Sequence, residues 1–549
     1  MNGNPHHNHK IDPKEVRNSR QGHPRPTLHT IGPIKSDPDR AKLKFALVRG
    51  PGVFSQRSVI STTLPSFGLA MLMGYLRARG YDPIFVDAVG EELEQTWQPE
   101  KYLAVKCHGL TFAQICERIP KDVDVIGVHA MFSVEWPITR DLIHALRNYA
   151  PNALIIAGGE HATAVPEYNL KDCPSIDILV RGEGERVLFE ILETARKNSR
   201  SFNHIFPISY LDENGNYVET SSQTSRIRDI DNLSWPYWPE GYLEKFWDLK
   251  KTHVVNTGRD IYMMVSRGCP YLCTFCSSAQ MWTNRYTLRD VNDVIAEIKY
   301  YKERFDITGI QFEDLTSVVT KRWLVDFCNK LLDEKLNVSW AMPSTRSECM
   351  DEESLLLMKK AGCIYVAFSP ESANPRILEL IKKNVNLDHI TAAALNAKKV
   401  GLIARINMII GFQDETRKEI INSMWYALKM SFKGVDEVLV SLFSIYPGSE
   451  MFNDSLKKGK IKLGDEFFLS LNLLNSDLTQ LRPMVQSEKV SPLELGIYRT
   501  GFWFLSFLVG YLAHPKRIVR TFKVMFFNAN ATTVFENRLS DLAKRIIKS

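Results

Sequence analysis

A chain of 549 residues is too long for one ordinary hydrophobic core and asks for about two to four domains. Apolar residues make up 44% and charged residues 24%, the balance of a globular protein, and a net charge of +6 over this length gives no footing for nucleic acid as a partner. Nine cysteines without regular spacing exclude a secreted disulfide framework and point to a reducing compartment, the cytoplasm.

Residues 1–42 are polar, contain no apolar core of a secretory signal, and read as a disordered tail. From 43 to 198 short apolar runs alternate with amphipathic segments. "KFALVRG", "PIFVDA", "DVIGVHAMF", "ALIIAGGEH" and "IDILVRGEGE" read as strands. The helix between the first two places Leu69, Leu72, Met73 and Leu76 on one stripe and stops at Gly80. This alternation predicts an α/β, doubly wound, Rossmann-like parallel sheet, with ligands at the strands' carboxyl ends, where "RGPG", "AGGEHATA" and "RGEGE" fall. Residues 199–255 read as a hairpin about Asn214-Gly215 and a Pro- and Trp-rich linker.

Over 256–450 six further strands, from "IYMMVSR" to "EVLVSLFSIYPG", alternate with helices. One of these helices carries Val291, Val294, Ile295 and Ile298 on a single face. The pattern predicts a partial (β/α)6 barrel of TIM type with its site at the strands' carboxyl ends. Residues 451–549 read as an α-helical, aromatic and basic C-terminal region. No run of 18 apolar residues appears, so no membrane-crossing helix is expected. The run Gly501–Ala513, followed at once by basic residues, suits a core helix or one lying in a membrane interface, and leaves 498–530 as a candidate for peripheral membrane contact.

Cys269, Cys273 and Cys276 stand as C-x3-C-x2-C in the loop after the first barrel strand. Iron–sulfur clusters generally take four cysteine ligands, so three leave one iron open to an exchangeable ligand. In "CPYLCTFC", including Phe275 before the last cysteine, the chain resembles the radical S-adenosylmethionine (SAM) superfamily. The resemblance implies a 4Fe–4S cluster on Cys269, Cys273 and Cys276, with SAM on the fourth iron and no catalytic residue assigned beyond the cofactor ligands. Further along the barrel, "FED" (Glu313, Asp314), "SPES" (Ser369, Glu371) and "IIGFQDET" (Ile409, Gly411) resemble the family's SAM-binding turns, and Phe275 joins that set. Ala373 and Gln413 stand where glycine is more usual. Arg267, beside the first cysteine, either offsets the cluster's negative charge or is a plain surface charge. "MWTNRY" (Met281–Tyr286) either shapes the SAM pocket or is a surface cover over the barrel mouth, and "IYPGSE" (Ile445–Glu450) either lines that pocket or is a structural turn around Pro447-Gly448. Cys328 falls on the helical stripe of Leu324, Phe327 and Leu331 and reads as core.

The domain before the barrel resembles the cobalamin-binding module of the cobalamin-dependent branch of that superfamily. The resemblance is carried by "LPSFGLAMLMGYLRARGYD", "GGEHATAVPE" and "IDILVRGEGE", and implies cobalamin contacts at Gly158, Gly159, His161, Gly182 and Glu183. The D-x-H-x-x-G motif that gives cobalt a histidine is absent: Asp87 is followed by Ala88, Val89 and Gly90. Base-off cobalamin without a protein histidine on cobalt is therefore expected. The implied activity is a cobalamin-dependent radical SAM methyltransferase. One SAM would methylate cobalamin, and a second would give the 5′-deoxyadenosyl radical that opens an unactivated carbon to the methyl group. A cobalamin-binding radical SAM cyclase or rearrangement enzyme is the alternative in the same family, and a SAM- or cobalamin-sensing regulator the alternative of another class. The implied partners are a small-molecule or lipid-like substrate and a one-electron donor such as flavodoxin or ferredoxin.

Overall fold

The computed structural model describes residues 38–58, 63–197, 199, 201–476, 481–527 and five positions between 531 and 539. Most of the expected polar tail, and part of the C-terminal region, lie outside these residues.

The N-terminal sheet has seven strands: β1 (Phe45–Arg49), β2 (Ile84–Asp87), β3 (Val125–His129), β4 (Leu154–Gly158), β5 (Ile178–Val180), β6 (Ile208–Leu211) and β7 (Tyr217–Glu219). Their order is β7-β6-β5-β4-β3-β1-β2, parallel from β2 to β5 and antiparallel beyond. The β2-β1-β3-β4-β5 core is the doubly wound order in which the winding reverses between β1 and β3. A crevice opens at that reversal, at the carboxyl ends. The hairpin about Asn214-Gly215 forms as expected, with Gly215 at φ +77. It is not part of a linker, however: β6 pairs with β5 and extends the N-terminal sheet.

Helix α1 (Phe67–Arg77) departs from the one-stripe expectation. Leu69, Ala70, Met71, Met73, Gly74, Tyr75 and Leu76 are all buried, whereas Leu72 is only half-buried. The Pro- and Trp-rich segment lies across its outer side, and Tyr237 N–H donates to Ala70 O at 2.9 Å. Gly74 is required there, because a Cβ would collide with the backbone of Trp235.

The second sheet holds β8 (Asp260–Met263), β9 (Gly309–Phe312), β10 (Ser339–Thr345), β11 (Cys363–Glu371), β12 (Ile403–Ile410) and β13 (Glu437–Leu442), all parallel and in chain order. Six right-ordered βα units make the partial barrel. Its inner face is crossed by the incoming chain: Val254 and Val255 pack on Ala341, Tyr365 and Ala367, and Gln311 Nε2 donates to Val255 O at 3.0 Å.

The helical C-terminal region is not one body. Helix α2 (Asp465–Ser476) returns to the N-terminal domain, where Arg140 holds Asp465 through both carboxylate oxygens at 2.8 and 2.9 Å. Helix α3 (Pro492–Ala513) packs on the barrel, with Leu495 and Phe502 inside its core, and α4 (Lys516–Phe526) follows. The apolar run read as 13 residues therefore belongs to a 22-residue helix. Among the described residues it is long and apolar enough to cross a membrane, with 33% of that window buried. That result corrects the reading from run length alone.

Candidate active site

The strand read as "IYMMVSR" divides. After β8, Ser266–Arg267 pairs antiparallel with Thr287–Leu288, closing the cysteine loop as the tip of a ribbon. Asp314, at the end of β9, pins the root of that ribbon. Its carboxylate accepts from Val265 N–H at 3.0 Å and from Ser266 N–H and Oγ–H, each at 2.5 Å. Burial pushes the Asp314 carboxyl up to about 7 against these donors. Tyr286 closes the other side, its hydroxyl donating to Ser317 O at 2.9 Å. Of "MWTNRY", Tyr286 and Met281 are thus buried supports of the loop.

Within the ribbon the three thiols are half-buried and free of disulfides. Cys269 Sγ lies 3.4 Å from Thr316 Oγ1, and Cys276 Sγ lies 3.1 Å from Ser278 Oγ. Burial raises Cys273 to about 11, with Lys383 opposing the shift. Lys383 is buried, bonds Glu371 Oε1 at 2.8 Å, and stays protonated because Glu371 and Cys273 outweigh its desolvation. Glu371 sits at φ +68, a left-handed backbone that non-glycine residues adopt only when held there. A second cation, Arg346, lies 3.6 Å over the Tyr271 ring. The loop thus carries two buried positive charges beside its thiols.

Phe275 packs on Phe412 with ring centroids 5.9 Å apart, and Ile409 joins the same cluster. Gly411, at φ +86, donates its N–H to Glu415 Oε2 at 2.7 Å. Ser369 accepts from Asn407 Nδ2 at 3.1 Å. Below the mouth is a cavity of about 220 Å³ lined by His253, Glu313, Ser344, Tyr365, Arg405 and Asn407. Burial disfavours the charged form of His253, but the Glu313 carboxylate at 2.8 Å outweighs it and raises the imidazole above its usual range. The seven residues expected to touch SAM stand around this mouth, and Asp314 both lines the cavity and holds the ribbon.

The carboxyl edge of the N-terminal sheet faces the cysteine loop. Ser277 Oγ donates to Glu160 across the gap, and at the "IYPGSE" turn a Cβ on Gly448 would stand 3.1 Å from Ala164 and 3.6 Å from Gln280. The five residues expected to contact cobalamin mainly hold this edge together. Gly159, at φ +134, turns against Ala130 and Met131, where a Cβ would collide, and Gly158 ends β4. His161 lies buried between Trp136 and Phe468, bonded to Ser133 Oγ at 2.9 Å, and burial lowers it to about 3. Gly182 N–H donates to Thr163 Oγ1 at 2.9 Å.

Glu183 is fully enclosed by Arg267 Nη1 at 2.8 Å and Arg226 Nη1 at 3.2 Å, while Arg267 Nη2 reaches Glu185 at 2.5 Å. Arg267 is therefore neither a surface charge nor a counter-charge to the cysteines, because its guanidinium is spent on joining the two domains. At the β1/β3 crevice itself stand residues that the motifs did not single out. Arg49 ends β1, Asp87 ends β2 and His129 ends β3, with Glu135 just beyond. Arg49 Nη1 is 3.4 Å from Asp87, whose carboxylate also accepts from the Tyr242 hydroxyl at 2.5 Å. Burial, then Arg49, lowers His129 to about 4, and burial raises Glu135 to about 7. Polar residues at three strand ends, Arg49 in the "RGPG" turn, Asp87 and His129, were the available signal.

Two family models match the chain, the radical SAM superfamily over residues 263–424 and the B12 binding domain over 57–192. An uncharacterized methyltransferase of Pyrococcus horikoshii is 32% identical over 411 residues, 75% of this chain and 82% of that protein. The anaerobic magnesium-protoporphyrin IX monomethyl ester cyclase of Rubrivivax gelatinosus is 28% identical over 74% of this chain and 68% of its own. The cobalamin-dependent SAM radical enzyme OxsB, solved with aqua-cobalamin bound, shares the fold with a TM-score of 0.61 at 15% identity, over 92% of this chain and 80% of that one. This chain belongs to the cobalamin-dependent radical SAM enzymes, whose cofactors are a 4Fe–4S cluster, SAM and cobalamin.

The residues present fit these groups. Cys269, Cys273 and Cys276 are free, half-buried thiols at the tip of one ribbon, and among the described residues no three His, Cys, Asp or Glu side chains are arranged to hold a single metal ion. A cubane takes one thiolate per iron, and three thiols on one loop supply three of its four corners. The buried lysine and arginine beside the loop suit an anionic cluster. At the facing edge, Ser66 Oγ, heading α1 by the crevice, is buried without a hydrogen-bond partner, a group left for the amide-rich rim of cobalamin.

Proposed function

We propose that the enzyme methylates an unactivated carbon of a small-molecule or lipid-like substrate. When bound, the cluster and SAM supply the radical that takes a hydrogen from carbon, and cobalamin supplies the methyl group. Cys269, Cys273 and Cys276 hold the cluster, while Lys383 and Arg346 offset its charge. Phe275, Ile409 and Phe412 form an apolar wall that keeps water from a reactive carbon, and Glu371, Ser369 and Gly411 orient SAM on the mouth. The cavity between His253 and Arg405 holds the substrate, orienting it by polar contacts. An electron carrier such as flavodoxin or ferredoxin delivers the electrons in a reducing cytoplasm, in keeping with nine free cysteines.

One observation carries this reading. The two carboxyl edges face each other across the Ser277–Glu160 bond, so that two cofactors, one on each edge, would share one cavity. Transfer between cofactors requires that proximity. The relative named as a methyltransferase favours methyl transfer, and the relative named as a cyclase supports the alternative, a radical cyclase in which no methyl moves.

The test is anaerobic reconstitution with SAM, cobalamin and a reductant, followed by mass spectrometry. The expected products are 5′-deoxyadenosine and S-adenosylhomocysteine together. Deoxyadenosine without adenosylhomocysteine transfers the case to the cyclase. Formation of neither, with a fully loaded cluster, favours the sensor.

A further inference from the structure

The barrel-packed helices of the C-terminal region leave an apolar face uncovered. On α3 the buried face is Leu495, Gly496, Arg499, Phe502, Ser506 and Gly510. The opposite face carries Leu493, Ile497, Phe504, Leu508 and Leu512, spaced so that they form one stripe along the whole helix, with Phe504 62% and Leu512 72% exposed. Helix α4 repeats the arrangement with Ile518, Val519, Phe522 and Phe526, Phe522 and Phe526 pairing at 4.8 Å.

The barrel helix Arg417–Phe432 lies alongside α3 and is tied to it at both ends. Arg417 bonds Glu494 at 2.6 and 2.8 Å, and His514 Nε2 meets Phe432 O at 3.0 Å. That helix adds Trp425 at 67% and Phe432 at 65% exposure to the same surface. Soluble proteins seldom leave so long an apolar band uncovered unless something binds it.

Charge says what binds. Residues 492–527 contain five Lys and Arg and a single acid, Glu494, paired with Arg417; Arg499 is buried and Arg517 and Arg520 face Asp436 and Glu536, which leaves Lys516 and Lys523 as the exposed cations of this stretch. Lys516 and Lys523 flank the exposed phenylalanines of α4, and Lys418, Lys429 and Lys433 flank Ile421, Trp425 and Phe432; all five are exposed. An apolar stripe rimmed by lysines is the pattern of a helix lying in a bilayer interface against anionic headgroups. Crossing the bilayer is excluded while α3 stays packed, because Leu495 and Phe502 belong to the barrel core. The buried face of α3, opposite the stripe, reaches the barrel mouth: Leu495 Cδ1 stands 3.0 Å from where a Cβ on Gly411 would be.

We propose that this surface, formed by α3, α4 and helix Arg417–Phe432, docks in the plane of a membrane bearing anionic lipid. The docking surface does not depend on whether the enzyme methylates or cyclises. The full-length chain is floated with vesicles of phosphatidylcholine alone and of equal parts phosphatidylcholine and phosphatidylglycerol. Binding is expected to the mixed vesicles and to weaken as salt is raised. Lys523→Glu should weaken it about tenfold, and Phe522→Glu with Trp425→Glu should abolish it. Leu103→Glu, on the N-terminal domain and 74% exposed, should leave it unchanged. Circular dichroism checks that each variant remains folded. Flotation that fails, or that ignores these substitutions, overturns the proposal. So does a concentration-dependent dimer, broken by the same substitutions without vesicle binding, which would make a second copy the occupant.

Discussion

The two carboxyl edges that face each other in this enzyme are built from similar sequence materials, yet they use them differently. At the barrel mouth the motif residues mostly surround the site: the three thiols lie on the cysteine loop, and Glu371 stands beside it, bonded to Lys383. At the edge of the N-terminal sheet the motif residues turn inward. Gly159, His161, Gly182 and Glu183 brace the edge, while the polar groups in the crevice, Arg49, Asp87, His129 and Glu135, lie outside the set expected to contact cobalamin. A thiolate trio has no packing purpose that requires its spacing, so its motif marks a ligand site. A glycine or a histidine after a strand serves tight turns and buried packing equally well.

The comparison is sharpened most by the cysteines. Replacing any one of Cys269, Cys273 and Cys276 with alanine should remove the cluster's visible absorption and all 5′-deoxyadenosine formation, while cobalamin retention on the facing edge persists. Simultaneous loss of cobalamin would mean that the two edges form one cooperative unit. Arg267 is next. Its pairs with Glu183 and Glu185 are buried on both sides, so Arg267→Met strands carboxylates away from water and should cost about 3–5 kcal/mol. Urea melts should show that loss, and limited proteolysis should reach the segment between the domains. A variant that keeps its stability and shifts only the cluster's reduction potential would return Arg267 to the role of a counter-charge.

Arg267 also shows where the sequence stopped being legible. Its neighbour Cys269 suggested a local electrostatic duty, but its partners lie more than 80 residues away in another domain, and no spacing rule reaches across that distance. The strands, their parallel order and the cysteine loop were legible because hydrophobic period and ligand spacing are local properties. The hairpin about Asn214-Gly215 was legible as a hairpin, but which sheet it joins was not, since strand pairing is decided by packing against β5. The length of α3 was hidden in a similar way. Polar Arg499, buried against the barrel, interrupts the apolar run without interrupting the helix.

Asp314 tests the barrel mouth at smaller scale. Asp314→Asn turns an amide donor toward the Val265 and Ser266 N–H groups and should cost about 1–3 kcal/mol at pH 8. Because burial raises the folded carboxyl to about 7, the folded state holds a proton that the unfolded chain releases near 4. The stability this brings is complete below the unfolded value and is lost as pH rises through about 7. The deficit of Asp314→Asn should therefore be larger at pH 5 than at pH 8, as read from paired urea melts. The opposite trend would mean that the donors, and not burial, set the charge of this group.

The smallest effect belongs to the residue whose motif looked most like a ligand. His161 is neutral at any ordinary pH, since burial lowers it to about 3, and Trp136 and Phe468 pack against its ring with centroids 4.9 and 5.1 Å away. His161→Leu keeps the volume close and removes one hydrogen bond to Ser133, so it should cost about 1–2 kcal/mol. Cobalamin affinity, measured by equilibrium dialysis, should change less than about threefold. The same substitution at the crevice, His129→Leu, should move cobalamin affinity more than it moves stability. If the ranking came out the other way, with His161 governing the cofactor, the N-terminal edge would read by its motifs as the barrel mouth does, and the contrast between the two edges would disappear.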